Sequence, residues 1–180
     1  TIGIVGASMV GRRVIELLAA FAHLDVVLYD PFVDDAGAAA LRVRKMELDE
    51  LCSSSDVLSI HAPDLPSTRH LSAAPQLAAL RTGATVINPA RGSLLDHAAL
   101  LAEVATGRLN AVLDVTDPEP LPEDHPLWAL PNVVVTPHLA GSLGTDLRRM
   151  TDHAVDEIDR WRSGRPARTE ITIDLFDRLA

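Results

Sequence analysis

Aromatic residues are scarce in this chain: Phe, Trp and Tyr make up 3% of its 180 residues, so Ala, Val and Leu have to build any core. Cysteine is scarcer still. The single Cys52 excludes an internal disulfide and fits a reducing compartment. No apolar run approaches the roughly 20 residues needed to span a bilayer, and no signal peptide is visible, which points to the cytoplasm. Positive charge is short as well, with 16 Lys and Arg against 25 Asp and Glu, a formal net charge of −9. That balance argues against nucleic acid or an anionic membrane as a partner. It does not exclude a small anionic substrate, because a local arginine can outweigh the global field. No metal site is expected. An initiator methionine is missing too: Thr1 leads straight into an apolar run, so a preceding segment of the parent protein is expected.

What is present suffices for a folded domain. Hydrophobic residues at 47% and charged residues at 23% describe a globular chain, and its length allows one sizeable domain. Its organising stretch is residues 1–31. Ile2, Ile4 and Val5 read as a short buried strand that stops at Gly6. Val10, Val14, Leu17, Leu18 and Phe21 then recur at helical spacing, and a second apolar run from Leu24 to Tyr29 ends on Asp30. Strand, glycine turn, helix, strand and acid is the order of a βαβ dinucleotide-binding unit. Gly6 allows a tight turn, and Gly11 lets the helix pack closely on the strand. The free N–H groups of the helix start, around Ser8, Met9 and Val10, would face a pyrophosphate. Asp30 would bond the adenosine ribose hydroxyls, and its charge would oppose a 2′-phosphate, which favours NAD over NADP. One fingerprint glycine is absent: Ser8 stands at the middle position, so its side chain must point away or bond the phosphate itself.

Further along, short apolar segments near 43–46, 56–61, 84–88, 111–115 and 133–136 alternate with helical ones at 34–41, 47–53, 72–80, 96–105 and 145–161. This alternation predicts an α/β protein with a doubly wound, mostly parallel sheet covered on both faces. Ligands in such sheets bind outside the carboxyl ends of the strands. The residues just past those ends include His61, Asn88 to Arg91, Asp114 to Glu119, and His138. Arg91, Glu119 and His138 together make an acid–base set. An arginine fork holds a carboxylate, and an imidazolium stabilised by a neighbouring carboxylate is a general acid near neutral pH.

The segments Asn88 to Asp96 (NPARGSLLD), Leu113 to Pro122 (LDVTDPEPLP) and Asn132 to Gly141 (NVVVTPHLAG) closely resemble the NAD-domain signatures of the D-isomer-specific 2-hydroxyacid dehydrogenases. Tyr29-Asp30-Pro31 and His61-Ala62-Pro63 resemble the same family, and the likeness runs from about Ile2 to Trp161. It implies a Rossmann-type NAD-binding domain over residues 1–162, NAD as cofactor, and a small 2-keto or 2-hydroxy acid as substrate. By the same resemblance Arg91 orients the substrate carboxylate and keto oxygen, His138 exchanges the proton, and Glu119 raises the imidazole pKa. Glu119 also separates the chain from the related formate dehydrogenases, which carry Gln there. Asp114 would sit near the nicotinamide carboxamide. His61, Ala62, Pro63, Pro89, Ala90 and Gly141 would line the cofactor cleft with Gly6, Ser8, Met9, Val10, Gly11 and Asp30.

The resemblance also implies a separate substrate domain, most of which is absent from this sequence. Residues 163–180 would be a C-terminal tail returning toward it, poorly packed without it. These 180 residues are then expected to bind NAD with little or no turnover alone, and the full-length parent to be a homodimer. Pro89 departs from the small or hydroxyl residue usual before Ala-Arg-Gly and removes an N–H donor beside the cofactor. A reading from another class is a non-catalytic NAD-sensing scaffold, like the corepressors that share this fold.

Overall fold

In the computed structural model, residues 1–173 are described; the expected tail beyond them, 174–180, lies outside the described residues. They form two compact units, Thr1–Pro137 and a second beginning at His138.

The first unit is a parallel sheet with helices on both faces. In chain order it runs β1 (Ile2–Val5), α1 (Met9–Leu18), β2 (Val26–Tyr29), α2 (Asp35–Ala40), β3 (Arg44–Lys45), α3 (Leu48–Ser54), β4 (Val57–Ile60), α4 (Ala74–Ala79), β5 (Thr85–Asn88), α5 (His97–Ala105), β6 (Asn110–Leu113) and β7 (Val133–Val135). The strand order is β3-β2-β1-β4-β5-β6-β7, all parallel, so the chain winds outward from β1 first one way and then the other. The order reverses between β1 and β4, and the crevice above that point is where such sheets take ligands.

Side-chain alternation builds the two cores. On β1, Ile4 joins Ala7, Ile15, Leu28, Val33 and Ala38 on one face. Its neighbour Val5 joins the larger cluster on the other, which includes Leu51 of α3, Leu77 of α4 and Leu100 of α5. With both faces covered, the strands read as short continuous apolar runs.

The apolar recurrence marks the packed face of α1 only in part. Gly11 and Ile15 are the buried residues of the helix, with Val14 and Leu18 beside them, whereas Val10, Leu17 and Phe21 are each more than half exposed. The cause is close approach. A Cβ on Gly11 would lie 2.1 Å from the Gly6 carbonyl oxygen, so the helix can settle on β1 only along the line that carries glycine.

In the second unit, α6 (Thr145–Arg162) buries none of its residues. The chain turns at Gly164, and Arg160 donates from Nε and Nη2 to the Pro166 carbonyl at 2.9 and 2.6 Å. The Arg168 N–H donates to the Glu157 carboxylate, and Arg165 pairs with Asp159 at 2.8 Å. The start of the tail is thus tied by polar contacts to the last turns of α6.

Candidate active site

The turn after β1 is built by glycine and capped by serine. Gly6 sits at φ +96°, and a Cβ there would lie 2.6 Å from the Ala62 nitrogen, so neither its conformation nor its surroundings admit a side chain. Ser8 has ordinary extended backbone (φ −60°, ψ 176°) and needs no glycine. Its Oγ accepts from the Gly11 N–H at 3.2 Å, the bond of a helix N-cap. Arg12 braces the turn by donating from Nε to the Ala7 carbonyl at 2.9 Å. The Met9 and Val10 N–H groups at the helix start meet no acceptor among the described residues. Such donors at a helix N-terminus suit a phosphate.

Asp30 completes this corner. Because Val5 pairs with Tyr29, the acid after β2 stands beside the turn after β1. Its Oδ2 accepts from the Ala7 N–H at 2.7 Å and its Oδ1 from the Phe32 N–H at 2.8 Å. A carboxylate has about four lone-pair sites, so two remain for ribose hydroxyls. On these observations the residues present fit a dinucleotide.

His61 and Ala62 form the wall next to that corner. The His61 N–H donates to the Val5 carbonyl at 2.7 Å, and the pair presses on Gly6 and Gly11. The imidazole is buried and its Nε2 lies 2.9 Å from the Ser59 Oγ, so it is backbone here that shapes the cleft. Burial lowers the His61 pKa, which favours the neutral ring. Pro63, half-buried, begins the loop that follows.

The turn after β5 carries Arg91. Asn88 is wholly buried; its Oδ1 accepts from the Ala90 N–H at 3.1 Å and its Nδ2 donates to the Arg91 carbonyl at 2.8 Å. The donor that Pro89 removes is therefore not needed to close this turn. Past it, a Cβ on Gly92 would lie 2.0 Å from the Thr116 carbonyl oxygen, so this loop and the one after β6 are in backbone contact. Ser93 donates to Asp64 at 2.6 Å and Arg69 pairs with Asp117 at 3.3 Å, linking both loops to the one after β4. The Arg91 side chain is exposed, with Nη1 2.7 Å from the Ala90 carbonyl.

Asp114, buried after β6, accepts from the Thr136 hydroxyl, and its N–H donates to the Asn88 carbonyl at 3.0 Å. Glu119 stands exposed in the proline-rich loop that follows, between cis peptide bonds at Asp117–Pro118 and Glu119–Pro120. His138 opens the second unit with backbone in the left-handed region, φ +54°, which is uncommon for a residue with a Cβ. A Cβ placed on Gly141, in the same unit, would lie 3.8 Å from its ring.

The structure thus brings Gly6, Ser8, Gly11, Asp30, His61 and Ala62 together at one corner of the first unit. Arg91 and Asp114 lie on adjoining loops of that unit. The sequence reading missed the Asn88 clamp, although Asn before Pro is a turn signal, and it missed Ser8 as a cap, although Ser leads the N-cap preference.

Residues 1–140 match the family described as D-isomer specific 2-hydroxyacid dehydrogenase, NAD binding domain. The D-3-phosphoglycerate dehydrogenase of Mycobacterium bovis is 42% identical over 143 residues, covering 79% of this chain and 27% of that protein. The hydroxypyruvate reductase of Thermotoga maritima is 34% identical over 161 residues, covering 88% of this chain and 51% of that protein. Among solved structures, D-lactate dehydrogenase with NAD+ from Lactobacillus jensenii superposes with a TM-score of 0.82 at 28% identity, over 95% of this chain and 55% of that one. The chain therefore spans between about a quarter and a half of the length of these relatives.

Proposed function

The chain belongs to the D-isomer-specific 2-hydroxyacid dehydrogenase family, whose NAD-binding domain it carries, and from that premise we propose that its parent protein reduces a small 2-keto acid to the D-2-hydroxy acid. When bound, NADH supplies the hydride that reaches the keto carbon. Arg91 binds the substrate carboxylate and polarises the keto oxygen, as a planar guanidinium does. His138, protonated, gives its proton to that oxygen and, neutral, takes it back in the reverse direction. Glu119 stabilises the imidazolium, and Asp114 orients the carboxamide end of the cofactor.

The observation that supports this most is a juxtaposition within one sheet. A turn fit for a pyrophosphate and ribose, formed by Gly6, Ser8 and Asp30, lies one strand from β4 and two from β5, whose loop presents an exposed arginine on a buried clamp. Residues 1–162 would serve as the dinucleotide-binding domain and 163–180 as the return toward a substrate domain. Asp30 favours NAD over NADP. The parent is proposed to be a cytoplasmic homodimer, the location in keeping with a lone, buried, free thiol at Cys52.

The test is a panel of 2-keto acids (glyoxylate, hydroxypyruvate, pyruvate and 3-phosphohydroxypyruvate) with NADH and NADPH on the full-length protein. Reduction of at least one with NADH is expected. Tight NADH binding with no reduction of any of them would overturn the reading in favour of an NAD-sensing scaffold.

A further inference from the structure

We propose that Asn88 is a positioning residue for Arg91, its buried carboxamide closing the Pro89–Arg91 turn at both ends and thereby setting where the guanidinium stands. The inference rests on the reading of Arg91 as the substrate carboxylate's partner.

Asn88 is the last residue of β5 and is wholly inaccessible, an unusual place for an amide. A buried carboxamide persists where its polar atoms are matched. Here the matches are local and specific: Oδ1 takes the Ala90 N–H and Nδ2 reaches the Arg91 carbonyl. The main chain of Asn88 is itself anchored, since its carbonyl accepts from the Asp114 N–H at 3.0 Å and it pairs with Leu113 across β5 and β6. The side chain therefore transmits the position of the sheet to the backbone of Arg91.

The Leu94 N–H also reaches the Arg91 carbonyl, but at 3.4 Å against 2.8 Å for the Asn88 amide. Pro89 has no N–H to offer a turn. On the far side the loop is stopped by Gly92, whose missing Cβ leaves the Thr116 carbonyl in contact. Arg91 is thus held between an amide clamp and a backbone stop, while its own side chain remains exposed. A long, flexible side chain aims well only from a fixed base, and a bidentate fork loses its partner when displaced by about 1 Å.

Aspartate at this position is nearly isosteric. It can still accept from Ala90 but cannot donate to the Arg91 carbonyl, and its charge opposes that oxygen. Two variants of the full-length protein, Asn88→Asp and Asn88→Ala, are compared with Arg91→Ala. The probes are NADH alone and then oxamate, the amide analogue of a 2-keto acid, added to the NADH-bound protein.

In Asn88→Asp, oxamate binding is expected to weaken about 10-fold, the loss of one hydrogen bond at about 1.4 kcal/mol. KM for the keto acid should rise while NADH affinity stays that of the wild type. Added to Arg91→Ala, either Asn88 variant should weaken oxamate no further, because residues acting through one group are not additive. Wild-type oxamate affinity in the Asn88 variants, with loss in Arg91→Ala, would overturn this proposal and leave the reading of Arg91 standing. Loss of NADH binding or of folding in both variants would reduce Asn88 to a structural part and overturn it too. Unchanged oxamate affinity in Arg91→Ala would instead overturn the reading of Arg91, and this inference with it.

Discussion

The N–H of Ala7 donates a 2.7 Å hydrogen bond to the Oδ2 of Asp30, joining the turn after β1 to the acid that ends β2. The two segments are 23 residues apart and meet because Val5 and Tyr29 are in register. The bond holds the carboxylate beside the helix start, where a nucleotide's ribose would lie.

Replacing that acid is the first prediction. Asp30→Ala removes both backbone contacts and the proposed ribose acceptor, and NADH affinity should fall roughly 10- to 100-fold, the scale of a hydrogen bond to a charged group. NADPH should lose less, since a like charge beside its phosphate disappears. Calorimetric titration of each cofactor reads both, and an unchanged preference between them would contradict the assignment.

Ser8 should behave as a helix cap. Ser8→Ala is expected to cost about 1 kcal/mol of stability, and Ser8→Gly only a few tenths. Thermal unfolding of the two variants gives the comparison. A larger loss in Ser8→Gly than in Ser8→Ala would contradict the capping role.

Gly92 admits no side chain. A Cβ there would meet the carbonyl oxygen and carbon of Thr116 at 2.0 and 2.2 Å, and these are backbone atoms that cannot rotate away. Gly92→Ala should destabilise by about 1–3 kcal/mol, the range of overpacking, with the loops after β5 and β6 forced apart. Gly83, which has open space around its Cβ position but φ +87°, serves as the control: Gly83→Asn should be tolerated, since Asn accepts the left-handed region. Equal midpoints for Gly92→Ala and the wild type would contradict the close approach.

Acid should weaken the fold through two buried imidazoles. Burial lowers the pKa of His61, and it lowers that of His97 as well, against the opposing pull of the Leu95 carbonyl, Asp117 and Asp96. Both folded values lie below that of the unfolded chain. The unfolded state therefore takes up protons first as pH drops under about 6.5. Their contribution is fully present above that pH and is lost as pH falls toward the folded values. Midpoints measured from about pH 7.5 down to 5.5 should decline less in the double variant His61→Asn, His97→Gln than in the wild type. Identical declines would contradict this.

Much of this was legible in the sequence, and for identifiable reasons. Short apolar runs ending in glycine or acid mark parallel strands buried on both faces, so β1, β2, β4, β5 and β6 could be placed within a residue or two. The carboxyl-end rule then pointed to Asp30, Arg91 and Asp114. What stayed hidden depends on distance in space. The packed face of α1 was set by the approach of Gly11 to the Gly6 carbonyl, which outweighed the count of apolar side chains. The need for glycine at 92 comes from Thr116, far along the chain. Asn88 is the exception: it ends a strand, but its clamp reaches only two and three residues along the chain, a local turn that could have been read. The turn of the His61 ring toward Ser59 could have been read, since residues two apart on a strand share a face.

In the proposed reaction His138 moves the proton that accompanies hydride transfer. His138→Ala in the full-length protein, assayed with NADH and its best 2-keto acid, measures it most directly. Reduction should fall at least about 100-fold, the contribution of a general acid, with the dissociation constant for NADH unchanged. Turnover by His138→Ala at the wild-type rate, with NADH still bound, would contradict the account.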